Sequence, residues 1–502
     1  MLCATVAQTS QRLAVFDMFN ASQSCDLIEL RLDRFDKAPD FGQLFERKFK
    51  PVIVSCRRKR DGGDWSGTEE ERLAILRQAV LAKADYIELE VDVADQVRRY
   101  GETKRIISTT HPMEVPDDLA DLYGECVSKD PDVVKVTMPT RTPEEAWPLI
   151  KIVAKAHVPT VAAGWGRGGR LLSILGRRYK SPWTYAALER GMEAYPGMAT
   201  VHELKNVWDH DAIDSRTPLL GISGRLEEQT PLALMLNEGF RLAGDKTRCL
   251  PLDIGEVELF QKVVDAIRLS GILVDEKHRQ EMTEVLHEAE EVVQQSKACD
   301  FVSTKDGKWK GYNTTPRAVT AALEHALTKR RPDEPPFEGK AFVVVGTSGV
   351  ARGIAAALKR KKAVVIIADK DNDDAARAAE EMGARYIPNG QVYSIFADGL
   401  ILTADPEAEE PGVGAIQLPK TVAREGMAVV DLSKAPFVTS LLDEARVVRG
   451  LPIPPVEILA RTAQIVLKAY TGKSLGVDAL TEALTKGGAD YSDIAVGDMA
   501  VD

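Results

Sequence analysis

The sequence lacks the features that mark disulfide-rich, zinc-binding, secreted or membrane-spanning chains. Its six cysteines are scattered over 502 residues, with no CxxC pair and no spacing suited to zinc. This argues against a disulfide framework and favours a reducing compartment. The N-terminus, MLCATVAQTSQRLAVF, has no basic stretch followed by an apolar core, and no apolar run is long enough to cross a bilayer. We therefore expect a cytoplasmic protein without a bound metal.

The chain also lacks an excess of positive charge. Its formal net charge is −11 at pH 7, which argues against nucleic acid or an anionic membrane as the main partner. The hydrophobic share is 44% and the charged share is 28%, both ordinary for a globular protein. A chain of this length is expected to contain roughly three domains. The partners that remain are a small-molecule substrate and a second copy of the chain.

The N-terminal part of the chain alternates short β-branched runs with segments of helical apolar spacing, such as EEERLAILRQAVLAKA. The runs are LCATV, DLIELRLD, PVIVSC, DYIELEVD, RIISTTH, VVKVTMP, PTVAAGW and, more weakly, MATVHEL. Eight strand–helix units predict a parallel sheet, and eight is the number that closes a TIM barrel. The predicted fold class is therefore α/β, with an N-terminal (β/α)8 barrel over residues 1–214.

Near Asp214 this rhythm ends, and residues 215–325 are predicted to form a second α/β domain. The charged, proline-rich stretch TKRRPDEPPFEGK then indicates a linker. After it, AFVVVGTSGVARGIAAALKRKKAVVIIADKD has the strand, glycine turn, helix and strand of a Rossmann-type unit, which we assign to residues 337–452. Residues 453–475 are predicted to form a closing helix that packs back on the second domain, and residues 476–502 to form a weakly structured tail.

One lysine stands among apolar residues in the sixth predicted strand, VVKVTM. Lys135 could be a strand-end lysine whose ammonium group reaches solvent. Alternatively, an apolar pocket lowers its pKa, so that the amine can attack a carbonyl carbon. The strand alone does not decide between the two interpretations.

Active sites of such barrels lie at the C-terminal ends of the strands. The charged or reactive residues near these ends are Glu29, Arg31, Asp33, Arg57, His111 and Lys135. A lysine can form an imine with a ketone, a histidine can then move protons, and arginines can bind a carboxylate. Each residue also has a structural interpretation, since Glu29 and Arg31 can pair with each other and Arg57 can lie at the surface.

Taken in their order along the chain, the segments that carry these residues resemble those of the type I 3-dehydroquinate dehydratases. ELRLD is similar to the family's Glu-x-Arg strand, SCRRKRDGGDWSGTEEERL to its Cys-Arg segment, STTH to its histidine strand, DVVKV to its Schiff-base strand and PGMATVHEL to its last barrel strand. The resemblance implies cofactor-free dehydration of a keto acid through an imine on Lys135, with His111 as general acid and base. The substrate-binding residues that it implies are Glu29, Arg31, Arg57 and Asp61, of which Asp61 replaces a glutamate.

Two departures from the family concern the groups that hold the substrate. The family has a Ser-Arg pair whose arginine binds the substrate carboxylate, whereas this sequence has Ser173, with Arg167 and Arg170 nearby as candidates. The family's Ser-x-Pro-Gly-Gln segment is AYPGM here, and Ala194 and Met198 cannot make the hydrogen bonds that serine and glutamine would. The sequence therefore predicts intact imine chemistry beside an altered carboxylate-binding site.

The region from about residue 219 to residue 475 resembles shikimate dehydrogenases. DGKWKGYNTT is similar to the family's dG-x-x-GyNTD, and GISG, VVVGTSGVARGIAAAL and AYTG match other family segments in order. The resemblance implies an oxidoreductase that uses NAD or NADP, fused to the dehydratase. The family's catalytic lysine and aspartate fall on Arg279 and Thr315, however, and arginine keeps its proton at any working pH. Lys277, two residues before Arg279, can take the place of the lysine only if the loop differs. We therefore predict loss of shikimate oxidation or a changed substrate.

The turn GTSGVARG is the predicted nucleotide site. It provides Gly346, Ser348 and Gly349, of which Ser348 replaces a glycine, and the two glycines still allow a tight turn with a helix N-terminus facing phosphate. The next strand ends at Asp369, where an acid binds a ribose 2′-hydroxyl and repels a 2′-phosphate, so NAD is favoured over NADP. Alternatively, Asp369 only caps the next turn.

Two other interpretations of the whole chain stay open. One is a pseudo-enzyme or nucleotide-binding scaffold, which the altered substrate contacts in both halves favour. The other is an NAD-dependent oxidoreductase that acts on a related polyol or hydroxy acid. A dehydratase with a dehydrogenase-like half of doubtful activity is the interpretation that the ordered motifs support best, and a homodimer is compatible with it.

Overall fold

The computed structural model describes residues 1–46, 48–304, 307–403, 418 and 421–486. The chain divides into two compact units. The first unit contains Met1–Thr217 and Leu250–Gly255, and the second contains Pro218–Cys249 and Glu256–Asp502. In the described part of the chain, no helix is both long and apolar enough to span a membrane.

The first unit contains a parallel sheet of eight strands. The strands are β1 (Leu2–Val6), β2 (Leu27–Arg31), β3 (Val52–Ser55), β4 (Tyr86–Glu90), β5 (Lys104–Thr110), β6 (Val133–Pro139), β7 (Thr160–Trp165) and β8 (Thr184–Ala187). Their order is β7-β6-β5-β4-β3-β2-β1-β8. The helices between them are α1 (Gln11–Ser22), α2 (Phe41–Leu44), α3 (Glu69–Leu81), α4 (Leu119–Ser128), α5 (Pro143–Lys155) and α6 (Gly169–Arg178). This is the predicted (β/α)8 barrel.

A hydrophobic cluster takes residues from most of the strands, which is the pattern of a barrel interior. Its strand members are Cys3, Leu27, Ile53, Ile106, Val133, Val161, Tyr185 and Ala187. Lys135 follows Val133 by two residues, so it lies on the same face of β6 as this cluster. The register pairs Lys135 with Ser108 of β5. The barrel therefore positions this lysine among the inward-facing residues.

The eighth strand differs from the prediction. Thr184–Ala187 pairs in parallel with β1, whereas the segment MATVHEL leads into a π-helical turn at Glu203–Val207. The sequence TYAA has one β-branched residue and two alanines, so it lacks the run that marks the other strands. All four of its residues are buried, and complete burial rather than intrinsic propensity makes this segment a strand.

The second sheet is mixed and has six strands in the described residues. They are β9 (Leu219–Ile222), β10 (Arg248–Pro251), β11 (Leu269–Leu273), β12 (Glu288–Ala289), β13 (Phe301–Ser303) and β14 (Lys310–Tyr312), in the order β10-β9-β11-β13-β14-β12. The helices of this part are α7 (Leu226–Ala243), α8 (Val257–Ile267), α9 (Glu291–Ser296) and α10 (Thr315–Arg330). The strands β9 and β11 are parallel, and β13 runs antiparallel to β11.

The third sheet is parallel and has the predicted Rossmann arrangement. Its strands are β15 (Ala341–Val345), β16 (Val364–Ala368), β17 (Arg385–Tyr386), β18 (Gly399–Leu402), β19 (Ala428–Asp431) and β20 (Leu451–Pro452), in the order β17-β16-β15-β18-β19-β20. The helices are α11 (Gly349–Arg360), α12 (Asn372–Met382) and α13 (Ser440–Val447). With β15 in the middle, the chain reverses direction across the sheet at the site where nucleotides bind in such folds. The predicted α/β fold class is confirmed.

Two helices follow the third sheet, α14 (Pro455–Thr471) and α15 (Val477–Lys486). The ring of Tyr470 on α14 packs against Phe240 of α7, and its hydroxyl donates a hydrogen bond to Ser270. The helix α15 lies in the segment that the sequence analysis assigns to a weakly structured tail. It forms because Leu480 and Leu484 share one buried face, and the remainder of that tail, residues 487–502, lies outside the described residues.

Candidate active site

The barrel interior holds Lys135 in a buried cluster of charges. Its side chain is 2% exposed, and its Nζ atom lies 3.0 Å from Glu88 Oε2 and 3.3 Å from Glu29 Oε1. The ammonium group also lies 4.2 Å from the ring centroid of Tyr185, close enough for a cation–π interaction. Lys135 is therefore not a strand-end lysine that reaches solvent.

Arg57 completes the cluster. Its Nη2 atom donates hydrogen bonds to Glu29 Oε1 at 2.7 Å and to Glu88 Oε2 at 3.1 Å. Burial alone would raise the pKa of Glu29, but the charges of Lys135 and Arg57 hold that pKa well below its ordinary value. Two cations and two carboxylates have a formal charge of zero, which is how charges are tolerated in a protein interior.

Hydroxyl groups from the neighbouring strands fix Glu29. The hydroxyl of Thr5 on β1 donates to Glu29 Oε2 at 2.9 Å, and that of Ser55 on β3 donates to Oε1 at 3.3 Å. The strand register pairs Thr5 directly with Glu29. Because Glu29 already accepts bonds from Arg57 as well, its carboxylate is held in one orientation.

Arg31 pairs with a different carboxylate from the one that the sequence suggested. Its Nε and Nη2 atoms donate to the two oxygens of Asp33 at 2.9 and 2.7 Å. Asp33 also accepts a hydrogen bond from the backbone N–H of Asp64 at 3.0 Å. Burial opposes ionisation of Asp33, but the bond from Arg31 lowers its pKa. This pair is a second neutral unit, beside the Lys135 cluster.

His111 follows the end of β5 and is near the same strand as Lys135. Its backbone N–H donates to the carbonyl oxygen of Thr137, two residues beyond Lys135 on β6, at 3.0 Å. Its ring nitrogen Nε2 lies 3.2 Å from the hydroxyl oxygen of Thr109. Among the described residues the other ring nitrogen has no hydrogen-bond partner, so it is available to a ligand.

Asp61 does not join these residues. Its Oδ2 accepts a hydrogen bond from Arg58 Nε at 2.5 Å, and Arg60 Nε lies 3.9 Å from the same oxygen. The next residue, Gly62, has a φ of +75°, and a Cβ atom there would lie 2.2 Å from the ring of Trp165. Asp61 thus shapes a loop at the mouth of the barrel, and within the described residues no hydrogen bond or ion pair joins it to the Lys135 cluster.

The segment AYPGM contributes apolar contacts. Ala194 and Tyr195 pack against the interior cluster, of which Met198 is a buried member. The ring of Tyr195 also lies 6.4 Å from that of Trp165, measured between centroids. Apolar side chains therefore line this side of the barrel, as the replacement of the family's serine and glutamine by Ala194 and Met198 predicts.

Two residues of the site, Glu88 and Tyr185, were not predicted from the sequence. Glu88 stands in DYIELEVD as a carboxylate inside an apolar strand, which is the same signal that drew attention to Lys135 in VVKVTM. Tyr185 was missed because its strand was not recognised.

In the described residues no group of His, Cys, Asp and Glu is arranged to hold a metal ion.

The predicted nucleotide turn lies between β15 and α11. Gly346 has a φ of +123°, and a Cβ atom there would lie 2.0 Å from the Thr403 hydroxyl oxygen, so the turn requires glycine. Ser348 is the N-cap residue of α11, and Gly349 is its first residue. The end of α11 that would face a phosphate therefore lies at the C-terminal edge of β15.

Asp369 closes this turn. It is 6% exposed, and it accepts hydrogen bonds from the Thr347 hydroxyl at 3.0 Å and from the Asp371 N–H at 3.2 Å. Asp371, rather than Asp369, is the N-cap residue of α12. Asp369 is thus fixed at the strand end, with lone pairs left for a ribose.

Arg279 and Thr315 both have partners within the protein. The guanidinium of Arg279 donates to Glu276 Oε2 at 2.5 Å and to the Val274 carbonyl oxygen at 3.3 Å. The Thr315 hydroxyl donates to Asp300 Oδ2 at 2.6 Å. Neither residue is a free acid or base at the edge of the second sheet.

The chain is similar to proteins that are named for one or both of two activities. The type I 3-dehydroquinase family model matches residues 2–215. The chloroplastic bifunctional 3-dehydroquinate dehydratase/shikimate dehydrogenase of Arabidopsis thaliana is 24% identical over 496 residues, 94% of this chain and 82% of that protein. The 3-dehydroquinate dehydratase of Methanopyrus kandleri is 28% identical over 214 residues, 41% of this chain and 98% of that protein. The solved dehydroquinate dehydratase and shikimate dehydrogenase from S. pombe AroM is 17% identical, with a TM-score of 0.42, and the match covers 96% of this chain and 98% of that one.

The family match and the relative from Arabidopsis thaliana agree with the order of motifs and sheets along the chain. The match ends where the barrel ends, and the similarity to the plant protein continues beyond it. Residues 2–215 are a type I 3-dehydroquinase domain, a lyase domain, and the chain continues into a shikimate dehydrogenase-like region.

Proposed function

We propose that the barrel converts 3-dehydroquinate to 3-dehydroshikimate through an imine between the substrate ketone and Lys135. The observation that carries this proposal is the buried amine of Lys135, held 3.0 and 3.3 Å from two carboxylates inside the barrel. A buried lysine with proton acceptors beside it is the arrangement that Schiff-base chemistry requires. The substrate is taken from the relatives that match the barrel, which are 3-dehydroquinate dehydratases.

The amine must lose a proton before it attacks, because only the neutral amine is a nucleophile. We assign this proton to Glu88, because Glu29 has a strongly lowered pKa and accepts bonds from two hydroxyls in addition to Arg57, which contacts both carboxylates. The nitrogen then bonds to the ketone carbon, and the ketone oxygen leaves as water. The resulting iminium keeps one positive charge between Glu29 and Glu88.

His111 supplies the second proton path. Its free ring nitrogen removes the proton from the carbon next to the iminium, and the electron pair moves into an enamine. The same imidazolium then protonates the hydroxyl that leaves as water, which forms the ring double bond. Hydrolysis of the imine releases the product and returns the amine of Lys135.

We further propose that the second half does not oxidise shikimate with NADP at a useful rate. Removing a proton from the substrate hydroxyl needs a group that can accept it, and neither the guanidinium of Arg279 nor the hydroxyl of Thr315 does so at neutral pH. The fixed carboxylate of Asp369 supports NAD rather than NADP as the nucleotide that this half binds.

Borohydride trapping tests the barrel assignment. The protein is incubated with 3-dehydroquinate and borohydride, and the mass of the intact chain and of its peptides is measured. We expect a single adduct on the peptide that contains Lys135, and none in Lys135→Met, which has a side chain of similar length without a nucleophile. No adduct on the wild-type protein under saturating substrate would favour a pseudo-enzyme.

Absorbance at the nicotinamide band tests the second half. We expect little or no reduction of NADP by shikimate, and any reduction with shikimate or quinate to prefer NAD. Rapid NADP-dependent oxidation of shikimate would contradict the proposal about Arg279 and Thr315.

A further inference from the structure

The ring of Tyr185 is in direct contact with the reactive amine, yet the steps proposed above do not use this residue. Lys135 Nζ lies over the ring, 4.2 Å from its centroid. Tyr185 belongs to β8 and is paired with Cys3 of β1. Its side chain is directed into the barrel, where it is a member of the interior cluster. The residue is therefore placed to act on any group that becomes bonded to the amine.

The hydroxyl of Tyr185 is buried and has no hydrogen-bond partner among the described residues. Glu29 and Glu88 are close enough to act on it electrostatically, but neither accepts a hydrogen bond from it. A buried hydroxyl without a partner is unfavourable, and such groups are rare in folded proteins. Tyr185 also borders a cavity that reaches Ser173 and Tyr195. An oxygen atom brought by a ligand would supply the missing acceptor.

The surroundings of this hydroxyl keep it protonated. Burial, followed by the negative charge of Glu29, raises the pKa of Tyr185 well above its ordinary value. The charge of Glu88 acts in the same direction. A phenol in this environment does not give up its proton at working pH, so it is suited to donate a hydrogen bond rather than to act as a base.

The distance between the amine and the hydroxyl fits one oxygen atom of a substrate. Because Nζ lies over the ring, the hydroxyl oxygen at the edge of the ring is roughly 5 Å from the amine. Once the nitrogen bonds to a ketone carbon, the oxygen on that carbon is about 2.4 Å from the nitrogen, and an O–H···O hydrogen bond spans about 2.7 Å more. The oxygen on the attacked carbon can therefore reach the hydroxyl.

We propose that the Tyr185 hydroxyl donates a hydrogen bond to the oxygen on the ketone carbon while Lys135 forms its imine. The inference rests on the proposed dehydratase function. As the nitrogen bonds to the carbon, the second electron pair of the C–O double bond moves to the oxygen. A fixed donor directed at that oxygen stabilises the negative charge that develops there.

The protons balance without any transfer from Tyr185. One proton passes from the attacking nitrogen to the oxygen, which gives a carbinolamine. Glu88 then returns to this hydroxyl the proton that it took from the ammonium group, and the C–O bond breaks with its electron pair on the departing water. The nitrogen lone pair forms the C–N double bond of the iminium, and the Tyr185 hydroxyl is unchanged.

The variant Tyr185→Phe tests this role, since it keeps the ring over which the amine lies and removes only the hydroxyl. The protein is mixed with saturating 3-dehydroquinate, borohydride is added after increasing times, and the adduct on the Lys135 peptide is measured by mass. We expect the rate of adduct formation to fall about 100-fold, as for the loss of one donor to a developing oxyanion, with the final amount unchanged. Equal rates in the variant and the wild type would overturn the role of Tyr185. No adduct in the wild type would reject the dehydratase itself.

The variant Tyr86→Phe is a matched control. Tyr86 also has a lysine over its ring, Lys104 with Nζ 5.4 Å from the centroid, but it is the first residue of β4, at the strand end opposite the mouth of the barrel. This variant should form the adduct at the wild-type rate, and an equal loss would assign the effect of Tyr185→Phe to repacking of the interior.

Urea unfolding separates a functional hydroxyl from a structural one. The midpoint of Tyr185→Phe should equal or exceed that of the wild type, because the hydroxyl has no protein partner to lose. A lower midpoint would show that the hydroxyl is hydrogen-bonded in the free protein, and it would overturn the proposal.

Discussion

Single residues in the barrel interior depend on one another for their charge. Lys135, Arg57, Glu29 and Glu88 are each at least nine-tenths buried, and every cation among them contacts both carboxylates. A network of this kind is stable as a set, but losing one member leaves an unbalanced charge in a region of low dielectric. The charges that enable the proposed chemistry therefore also couple it to folding.

The variant Glu88→Gln tests this coupling. It removes one negative charge but keeps the shape of the side chain, so the cluster is left with one excess cation. We expect the free energy of unfolding to fall by about 3 kcal/mol, measured by urea denaturation, and borohydride trapping to slow. The control Glu102→Gln changes an exposed carboxylate and should alter stability little. Equal stability of the two variants would show that Glu88 carries no charge in the cluster.

The sequence identified Lys135, Glu29 and Arg57 because each is a charged residue in or beside an apolar strand, and the structure brings these three together. It did not identify Glu88 as their partner, although the same signal was present in DYIELEVD. The choice of Asp33 rather than Glu29 as the partner of Arg31 could not be predicted either. That choice depends on the 3-10 turn after β2, which bends Asp33 back toward the guanidinium.

At the scale of elements, glycines decide how closely the loops at the mouth of the barrel approach one another. The loop after β7 and the segment before the π-helical turn come together at Gly166 and Gly197. Neither glycine lies in a strand or a helix, so the patterns of those elements do not predict the contact between the two loops. The position of Arg167 therefore depends on loop residues that carry no side chain.

The variant Gly197→Ala tests this dependence, with Gly191→Ala as a matched control. Both glycines have positive φ, +84° and +87°, but only Gly197 has a carbonyl oxygen in the space that a Cβ atom would fill. The control should lose about 1 kcal/mol from backbone strain alone. Gly197→Ala should lose about 2 kcal/mol more from the clash and should raise KM, measured by urea denaturation and steady-state kinetics. Equal losses would mean that the two loops do not need this contact.

Seven of the eight barrel strands could be predicted because buried parallel strands appear as β-branched runs. The eighth could not, since TYAA carries no such pattern and becomes a strand only through burial. The helix α15 was readable in principle, because Leu480 and Leu484 are four residues apart. With ten residues it spans fewer than three turns, too few for a clear helical period.

At the scale of the whole molecule, the change of rhythm near Asp214 marked the end of the barrel, since a repeated strand–helix period is a property of many residues together. The segment Leu250–Gly255 could not be assigned from the sequence, because it belongs to the first unit although the chain around it belongs to the second. No local sequence pattern marks a segment of this kind. The two units nevertheless carry different titratable groups, which gives each its own response to pH.

In the first unit, burial lowers the pKa of His210 to about 4. An unfolded chain takes up a proton at this side chain near pH 6.5, so between these values the unfolded state binds more protons than the folded one. The stability of the first unit should therefore fall as the pH drops from about 6.5 to about 4. His210 lies 3.5 Å from the Thr184 hydroxyl at the start of β8, so β8 should be affected first.

In the second unit, the pKa of His278 is raised. Burial alone would lower it, but Asp275, whose Oδ1 lies 2.8 Å from His278 Nδ1, outweighs burial. The stability from this pair is complete below about pH 6.5 and is lost as the pH rises through the raised pKa. Acidification from neutral pH should thus strengthen the second unit while it weakens the first.

Urea unfolding across this pH range separates the two responses in the intact chain. Tryptophan fluorescence reports mainly the first unit, which contains Trp65, Trp147, Trp165, Trp183 and Trp208, whereas limited proteolysis with fragments identified by mass reports the second. We expect the first midpoint to fall and the second to rise on acidification. His210→Gln should flatten only the first profile and His278→Gln only the second, because each variant removes one titrating group. Parallel shifts of both units, or profiles unchanged in both variants, would show that other groups control the pH dependence.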